Sequence, residues 1–177
     1  MTVRFKTNSN GNARGFNATW QQRAGGCGGI FTAPKGEIHS PNYPSPYSNN
    51  VDCSWVITVD NHYRILFDFA DFDLEHHQSC DSDYVAVYDG LDEAAPMLGK
   101  LCGGLIPGVI TSTHNIIHVR FRSKNSHEHR GFRARFNQAC GSYIITDDIG
   151  GAITSPLYPN NYPRNQNCSW IIQAKKP

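Results

Sequence analysis

Apolar and polar residues alternate with a period of two over several short stretches of this chain, the pattern of strands with one buried face. From Tyr63 to Phe69, Ile65, Phe67 and Phe69 fall on one side, with Arg64 and Asp68 on the other. Val56-Ile57-Thr58-Val59 and Tyr84 to Tyr88 read as two more strands, the second stopped by Asp89-Gly90. Ile116 to Phe121 and Phe132 to Phe136 are predicted to pair as a hairpin, with Val119, Phe121, Phe132, Ala134 and Phe136 on its apolar side. No stretch sustains a 3.6-residue period. Proline and glycine punctuate the chain, at Pro41, Pro44, Pro46, Gly99, Gly103, Gly104, Pro107 and Gly108 among others. Many short strands between such turns predict an all-β sandwich of antiparallel sheets.

Parts of the pattern occur twice. Val3 to Trp20 aligns without a gap on Val119 to Phe136, sharing V-R-F, R-G-F and the following alanine. Cys27-Gly28, Ser40-Pro41-Asn42-Tyr43-Pro44, Tyr47 and Cys53-Ser54-Trp55 recur as Cys140-Gly141, Ser155-Pro156-Leu157-Tyr158-Pro159, Tyr162 and Cys168-Ser169-Trp170. The repeat of roughly 113–116 residues has the size of a whole domain. Residues 1–21 therefore read as the closing hairpin of one module, 27–139 as a complete module, and 140–177 as the truncated opening of a third. Linkers of a few residues would hold such modules nearly end to end.

The formal charge of +1 over 177 residues argues against a general nucleic-acid binder. Its distribution is less even. Asp60 to Glu93 is strongly acidic, with Arg64 its only Lys or Arg, whereas Ala94 to Cys140 is basic apart from Glu128. Six cysteines, none spaced C-x-x-C, weigh against redox and zinc-ribbon roles. Loops of twenty-odd residues between cysteines point to disulfides and an oxidising compartment, each bridge stabilising by roughly 3–4 kcal/mol. The first residues, Met1-Thr2-Val3-Arg4-Phe5-Lys6, have no apolar signal core and no membrane-spanning run follows. The expectation is an internal piece of a longer secreted or ectodomain chain, with no direct membrane insertion. Neither G-x-S-x-G nor H-E-x-x-H occurs, and no phosphate-binding glycine loop precedes a helix, so the chain does not read as an enzyme.

These residues resemble the CUB domain family. The anchors are Cys27-Gly28-Gly29, Ser40–Pro44, Tyr47, Cys53-Ser54-Trp55, F-D-L-E at Phe72–Glu75, Cys80 with Asp83, Tyr88-Asp89-Gly90, Cys102-Gly103 and Arg130-Gly131-Phe132. The resemblance implies a jelly-roll-like sandwich of two antiparallel sheets in a tandem array, with disulfides Cys27–Cys53, Cys80–Cys102 and Cys140–Cys168. It also implies an extracellular ligand-binding segment of a multi-CUB endocytic receptor, with a membrane-anchored co-receptor bound elsewhere in the array. Cargo of that class includes intrinsic factor–vitamin B12, albumin and lipoproteins. A spacer module, or the non-catalytic CUB region of a secreted protease or complement-type protein, are the alternatives.

The candidate site lies in the acidic stretch Phe72–Gly90, where Asp73, Glu75, Asp81, Asp83 and Asp89 crowd together and need water, an arginine or a hard cation between them. The family places calcium on Glu75, on Asp83, and on an Asp at a third position, which here holds Lys124. Lys124 either weakens the calcium site, to which Asn125 or Ser126 could still give a neutral oxygen ligand, or replaces the ion with an internal salt bridge to Glu75 and Asp83. Arg120, Arg122, Arg133 and Arg135 form either a basic binding strip or a solvated face balanced by Asp68 or Asp71. His76 and His77, with His77 nearer the acidic corner, are candidates for a pH switch, since imidazoles gain charge towards pH 5–6. His127 and His129 carry only weak zinc spacing. Asn17-Ala18-Thr19 and Asn167-Cys168-Ser169 are glycosylation sequons, the second obstructed by its own cysteine.

Overall fold

A computed structural model describes residues 26–124, 129–141, 143–146, 150–164, 166 and 168–174. The expectations for residues 1–21, for the sequon asparagines Asn17 and Asn167, for Asn125 and Ser126, and for His127 fall outside these residues.

Nine strands build two facing sheets: β1 (Gly29–Thr32), β2 (Lys35–His39), β3 (Asp52–Thr58), β4 (Tyr63–Asp73), β5 (Tyr84–Tyr88), β6 (Met97–Leu101), β7 (Ile110–Thr111), β8 (Ile116–Arg122) and β9 (Gly131–Cys140). One sheet has the order β1-β3-β8-β5-β6 and the other β2-β9-β4-β7. The all-β sandwich expected from the alternation is therefore the fold. Ile65, Phe67, Val87, Val119, Phe121, Phe132 and Phe136 are fully buried between the sheets. Each such side chain stabilises by about 1.5–3 kcal/mol relative to exposure.

Two details differ from the sequence expectation. The stretches read as one hairpin, β8 and β9, belong to opposite sheets. Their apolar faces meet across the core, with the Phe121 and Phe132 rings 5.5 Å apart, edge to face. Alternation marks which face of a strand is apolar, and a face satisfied by a neighbour in the same sheet looks the same in sequence as one satisfied by the opposite sheet. Second, β1 pairs with β3 in parallel, while every other described pair within the two sheets is antiparallel. The chain leaves β1, crosses to β2 in the other sheet, and returns to β3 running in the original direction.

A bulge in β4 between Phe69 and Asp71 matters for the site. It inserts one residue into the alternation, so Phe69 and Phe72, three apart, both point into the core. Leu74 is buried two residues further on, and the chain leaves the strand into the acidic loop.

Beyond β9, β10 (Tyr143–Thr146) and β11 (Ile171–Ala174) form a parallel pair. Tyr143 faces Ile171 as Ile30 faces Val56, the equivalent positions of the sequence repeat. Gly28 and Gly141 repeat too, at φ +98 and +96. A Cβ on either would strike a main-chain oxygen, that of Ser54 at 2.3 Å or that of Ser169 at 1.8 Å, so only glycine fits after each cysteine. The sulfurs are joined as Cys27–Cys53, Cys80–Cys102 and Cys140–Cys168, the pairing the resemblance implied.

Candidate functional site

The acidic corner sits where β4 ends, β5 begins and β8 leaves the sandwich. Asp83, the residue before β5, is 1% exposed. Its Oδ2 accepts the Tyr47 hydroxyl at 2.5 Å and its Oδ1 accepts the Lys124 main-chain N–H at 2.8 Å. The Tyr47 oxygen also accepts the Glu75 N–H at 3.4 Å. Tyr47 thus ties the two acidic positions together. Burial, followed by its bond to Asp83, pushes the Tyr47 hydroxyl far above the usual tyrosine range, so it remains a proton donor. The Tyr47 loop is held by its own N–H to the His129 carbonyl at 3.1 Å. Next to it Gly131, at φ +92, leaves room for the Ser40 hydroxyl, which a Cβ would meet at 1.9 Å. That hydroxyl accepts the Phe132 N–H at 3.1 Å, which is why the R-G-F motif needs its glycine.

Calcium takes six to eight hard oxygen ligands. Glu75 and Asp83 are right in kind, but both Asp83 oxygens already accept hydrogen bonds from protein donors. The third family position offers Lys124, exposed, with its N–H towards Asp83. Among the described residues no salt bridge joins the Lys124 ammonium to Glu75 or Asp83, and no three His, Cys, Asp or Glu side chains are grouped to hold a metal. These side chains alone do not make a calcium site.

The CUB domain model matches residues 27–136 and 140–177, most of the chain. The chain belongs to the CUB domain family. Cubilin of Canis lupus familiaris is 54% identical over all of this chain, and cubilin of Homo sapiens 53% identical over the same extent. The chain spans only 5% of the length of either relative. Among solved structures, the MASP-1 CUB2 domain bound to Ca2+ is similar with a TM-score of 0.55 and 34% identity, over 61% of this chain and 96% of that one. Family and relatives alike suggest a non-catalytic segment.

Within this CUB module the remaining charged positions divide. Arg120 and Arg122 lie on β8, Arg133 and Arg135 on β9, so the four arginines occupy the outer faces of opposite sheets and form no single strip. Arg120 donates Nε and Nη2 to Asp52 at 3.0 and 2.7 Å and Nη1 to Glu93. The Arg120 hydrogen bonds hold the Asp52 carboxyl below its usual range. Arg135 pairs with Asp68 at 2.6 Å and Arg130 with Asp71 at 2.9 Å. These are solvated pairs of small individual worth.

The His77 ring is engaged by the turn that follows it, not by Glu75 or Asp83. Its Nδ1 lies 3.3 Å from the N–H groups of Ser79 and Asp81 and 3.1 Å from the Ser79 hydroxyl. His76 is exposed and lies against Gly103. His129 pairs with Asp73 at 3.2 Å.

His118 is the residue that sequence reading passed over. It stands in β8 at 6% exposure, stacked on Tyr88, with Nε2 2.7 Å from the Ser54 hydroxyl and Nδ1 buried without a hydrogen bond. Its polar slot in the β8 alternation predicted an outer face, and that slot gave no sign that Tyr88 would cover it. Burial lowers its pKa, with Glu93 and Asp92 opposing and Arg120 assisting. The unfolded chain, near the ordinary value of about 6.5, then binds the proton better than the folded one. Stability is therefore complete above about 6.5 and declines as pH falls through the lower folded value. Thermal melts between pH 7.5 and 5 are expected to fall more steeply for the wild type than for His118→Gln, which cannot titrate there.

Proposed function

We propose that the chain is an extracellular, non-catalytic ligand-binding segment of a multi-CUB endocytic receptor of the cubilin type. Its cargo would be protein, in the class of intrinsic factor–vitamin B12, albumin and lipoproteins, and a membrane-anchored co-receptor would bind elsewhere in the array. The observation that carries this reading is the similarity to cubilin along the whole chain, across both the complete module and the segment after it. Three disulfides suit an oxidising compartment, and the repeated Cys-Gly backbone geometry suits a tandem array.

In this reading Glu75 is the contact and Asp83 the brace. Asp83 is too buried for a partner to reach, whereas Glu75 is half-buried at the rim of the corner. A lysine or arginine of the cargo would bond to the Glu75 carboxylate, a charge-assisted contact of the strong kind. Calcium is not needed to shape the corner, because Tyr47 and the Lys124 N–H already orient Asp83. The pH-dependent release of this reading is assigned to the exposed His76 and His77, which follow Glu75 in the chain, since an added positive charge there would oppose a cationic cargo side chain. Lys124, unlike the family's carboxylate, favours a second reading, a spacer module whose neighbours in the array carry the cargo.

The test is surface binding of the chain to intrinsic factor–cobalamin, serum albumin and high-density lipoprotein at neutral pH and at about pH 5.5. At least one is expected to bind, with a loss of about tenfold in Glu75→Gln and at low pH, the pH effect shrinking in His76→Ala/His77→Ala. Absence of binding to all three would favour the spacer.

A further inference from the structure

Two rings on the outer face of a sheet are buried as deeply as the core. His118 on β8 and Tyr88 on β5 are cross-strand neighbours, 6% and 7% exposed. Along the same face of β8, Arg120 is half-buried and Arg122 exposed. The turn 90–95, between β5 and β6, accounts for the difference. It is closed by the Asp89 N–H on the Pro96 carbonyl at 2.8 Å and stiffened by the Ala94 N–H on Asp92 Oδ1 at 2.9 Å. Its Glu93 carboxylate accepts Arg120 Nη1, two residues along the strand from His118. Burial, with Glu93 beside it, raises the Tyr88 hydroxyl above the usual tyrosine range. Glu93 and Asp92 both act on His118 by charge. The turn therefore lies over the two rings as a cap, with Glu93 as its pin.

The cap closes over a histidine that is only half satisfied. Nε2 lies 2.7 Å from the Ser54 hydroxyl of β3, while Nδ1 is buried and unpaired. In the imidazolium both nitrogens carry hydrogen, so Nδ1 becomes a buried, charged donor with no acceptor, a larger penalty than in the neutral ring. The groups facing the ring are Ser54 on β3, Tyr88 on β5, Arg120 on β8, and Asp92 and Glu93 in the turn. Glu93 is engaged by Arg120, which two bonds to Asp52 hold in place. Of these neighbours the turn gives way most easily. Its pin is a solvated ion pair of small worth, and its residue Leu91 is 63% exposed and so anchors nothing. Ser54, by contrast, belongs to a strand paired on both sides.

We propose that the turn 90–95 is a proton-operated cap: acidification charges His118, the Glu93–Arg120 pin releases, and the Tyr88 and His118 rings open to solvent. In the lifted state the ring meets water and titrates near its ordinary value of about 6.5. In the closed state burial keeps it neutral to lower pH. The lifted state thus binds the proton better, so the lifted-to-closed ratio grows as pH falls, by at most about tenfold between pH 7.5 and 5.5. The response is local and stands apart from the reading of Glu75, because Tyr88 lies at the opposite end of β5 from Asp83. It gives the module an acid-sensitive surface on the outer face of the β1-β3-β8-β5-β6 sheet.

Nuclear magnetic resonance of the 177-residue chain with a neutral gadolinium chelate in solution tests this. Relaxation enhancement of the Tyr88 and His118 ring protons reports their contact with solvent, with Phe67 and Val119 as buried references. Between pH 7.5 and 5.5 the ring enhancement is expected to rise about threefold or more, within the tenfold ceiling, while the references stay constant. The rise should follow the titration of the His118 Cε1 proton shift, a readout that needs no variant. In His118→Gln the Tyr88 enhancement is expected to stay flat with pH. In Glu93→Gln, where the replaced side chain is solvated, it is expected to be raised already at pH 7.5. No rise in the wild type overturns the proposal, as does an equal rise in His118→Gln. An equal rise at Phe67 and Val119 means that the whole module loosens and also overturns it. So does Glu93→Gln protected as fully as the wild type at pH 7.5, since the pin would then lie elsewhere.

Discussion

Lys124→Asp is expected to raise calcium affinity at the Glu75/Asp83 corner by at least about tenfold, from millimolar or weaker in the wild type. The substitution removes an ammonium and adds a hard carboxylate, a change of two charges beside a divalent ion. At about 5 Å this is worth on the order of 3 kcal/mol even with the dielectric constant of water, or about a hundredfold if fully realised. The main-chain N–H of residue 124 already reaches Asp83 at 2.8 Å, so the new side chain starts at the right place. Isothermal titration of the wild type, Lys124→Asp, and Lys124→Asp with Glu75→Ala checks this. The gain is expected only in the second, and micromolar binding by the wild type would show that other oxygens complete the site.

Asp83→Ala is expected to cost about 2–5 kcal/mol of stability, because it leaves two buried donors, the Tyr47 hydroxyl and the Lys124 N–H, without an acceptor. With each kcal/mol worth roughly 4–8 °C in a domain of this size, the melting temperature of the module falls by about 10 °C or more. Tyr47→Phe removes one of the two bonds and should cost less. In a double-mutant cycle the two substitutions should be strongly non-additive, since they delete parts of one contact. A loss under about 1 kcal/mol in Asp83→Ala would mean that water replaces the carboxylate and that the corner is not braced from within.

The strands with strict alternation were legible in the chain because burial of one face leaves a period-two trace; Ile65, Phe67 and Phe69 are the plainest case. β1 and β2 left little trace. Their residues are mostly exposed or half-buried, and Gly29 and Gly36 occupy places where a strand would normally show a side chain. The bulge in β4 was also hidden, since the run Phe69-Ala70-Asp71-Phe72 departs from alternation in a way that a strand end would equally explain. At the site, the residue types of Glu75, Asp83 and Lys124 were readable from the family motif. The role of Tyr47 was not, because its partner Asp83 lies thirty-six residues away.

What the sequence alone determined about this protein was therefore local or repeated: all-β character, the apolar faces of the strong strands, a domain-sized repeat, and an acidic segment ahead of a basic one. Only the tertiary structure decided the partners. It sent β8 and β9 to opposite sheets, divided the four arginines between two outer faces, and covered His118 with Tyr88. It also satisfied both Asp83 oxygens from within and bonded the Gly103 main chain to that of Leu74 and Glu75. The physical reason is the same each time. Side-chain periodicity records which face of an element meets the core, whereas hydrogen bonds, ion pairs and ring contacts depend on which distant segment closes against it.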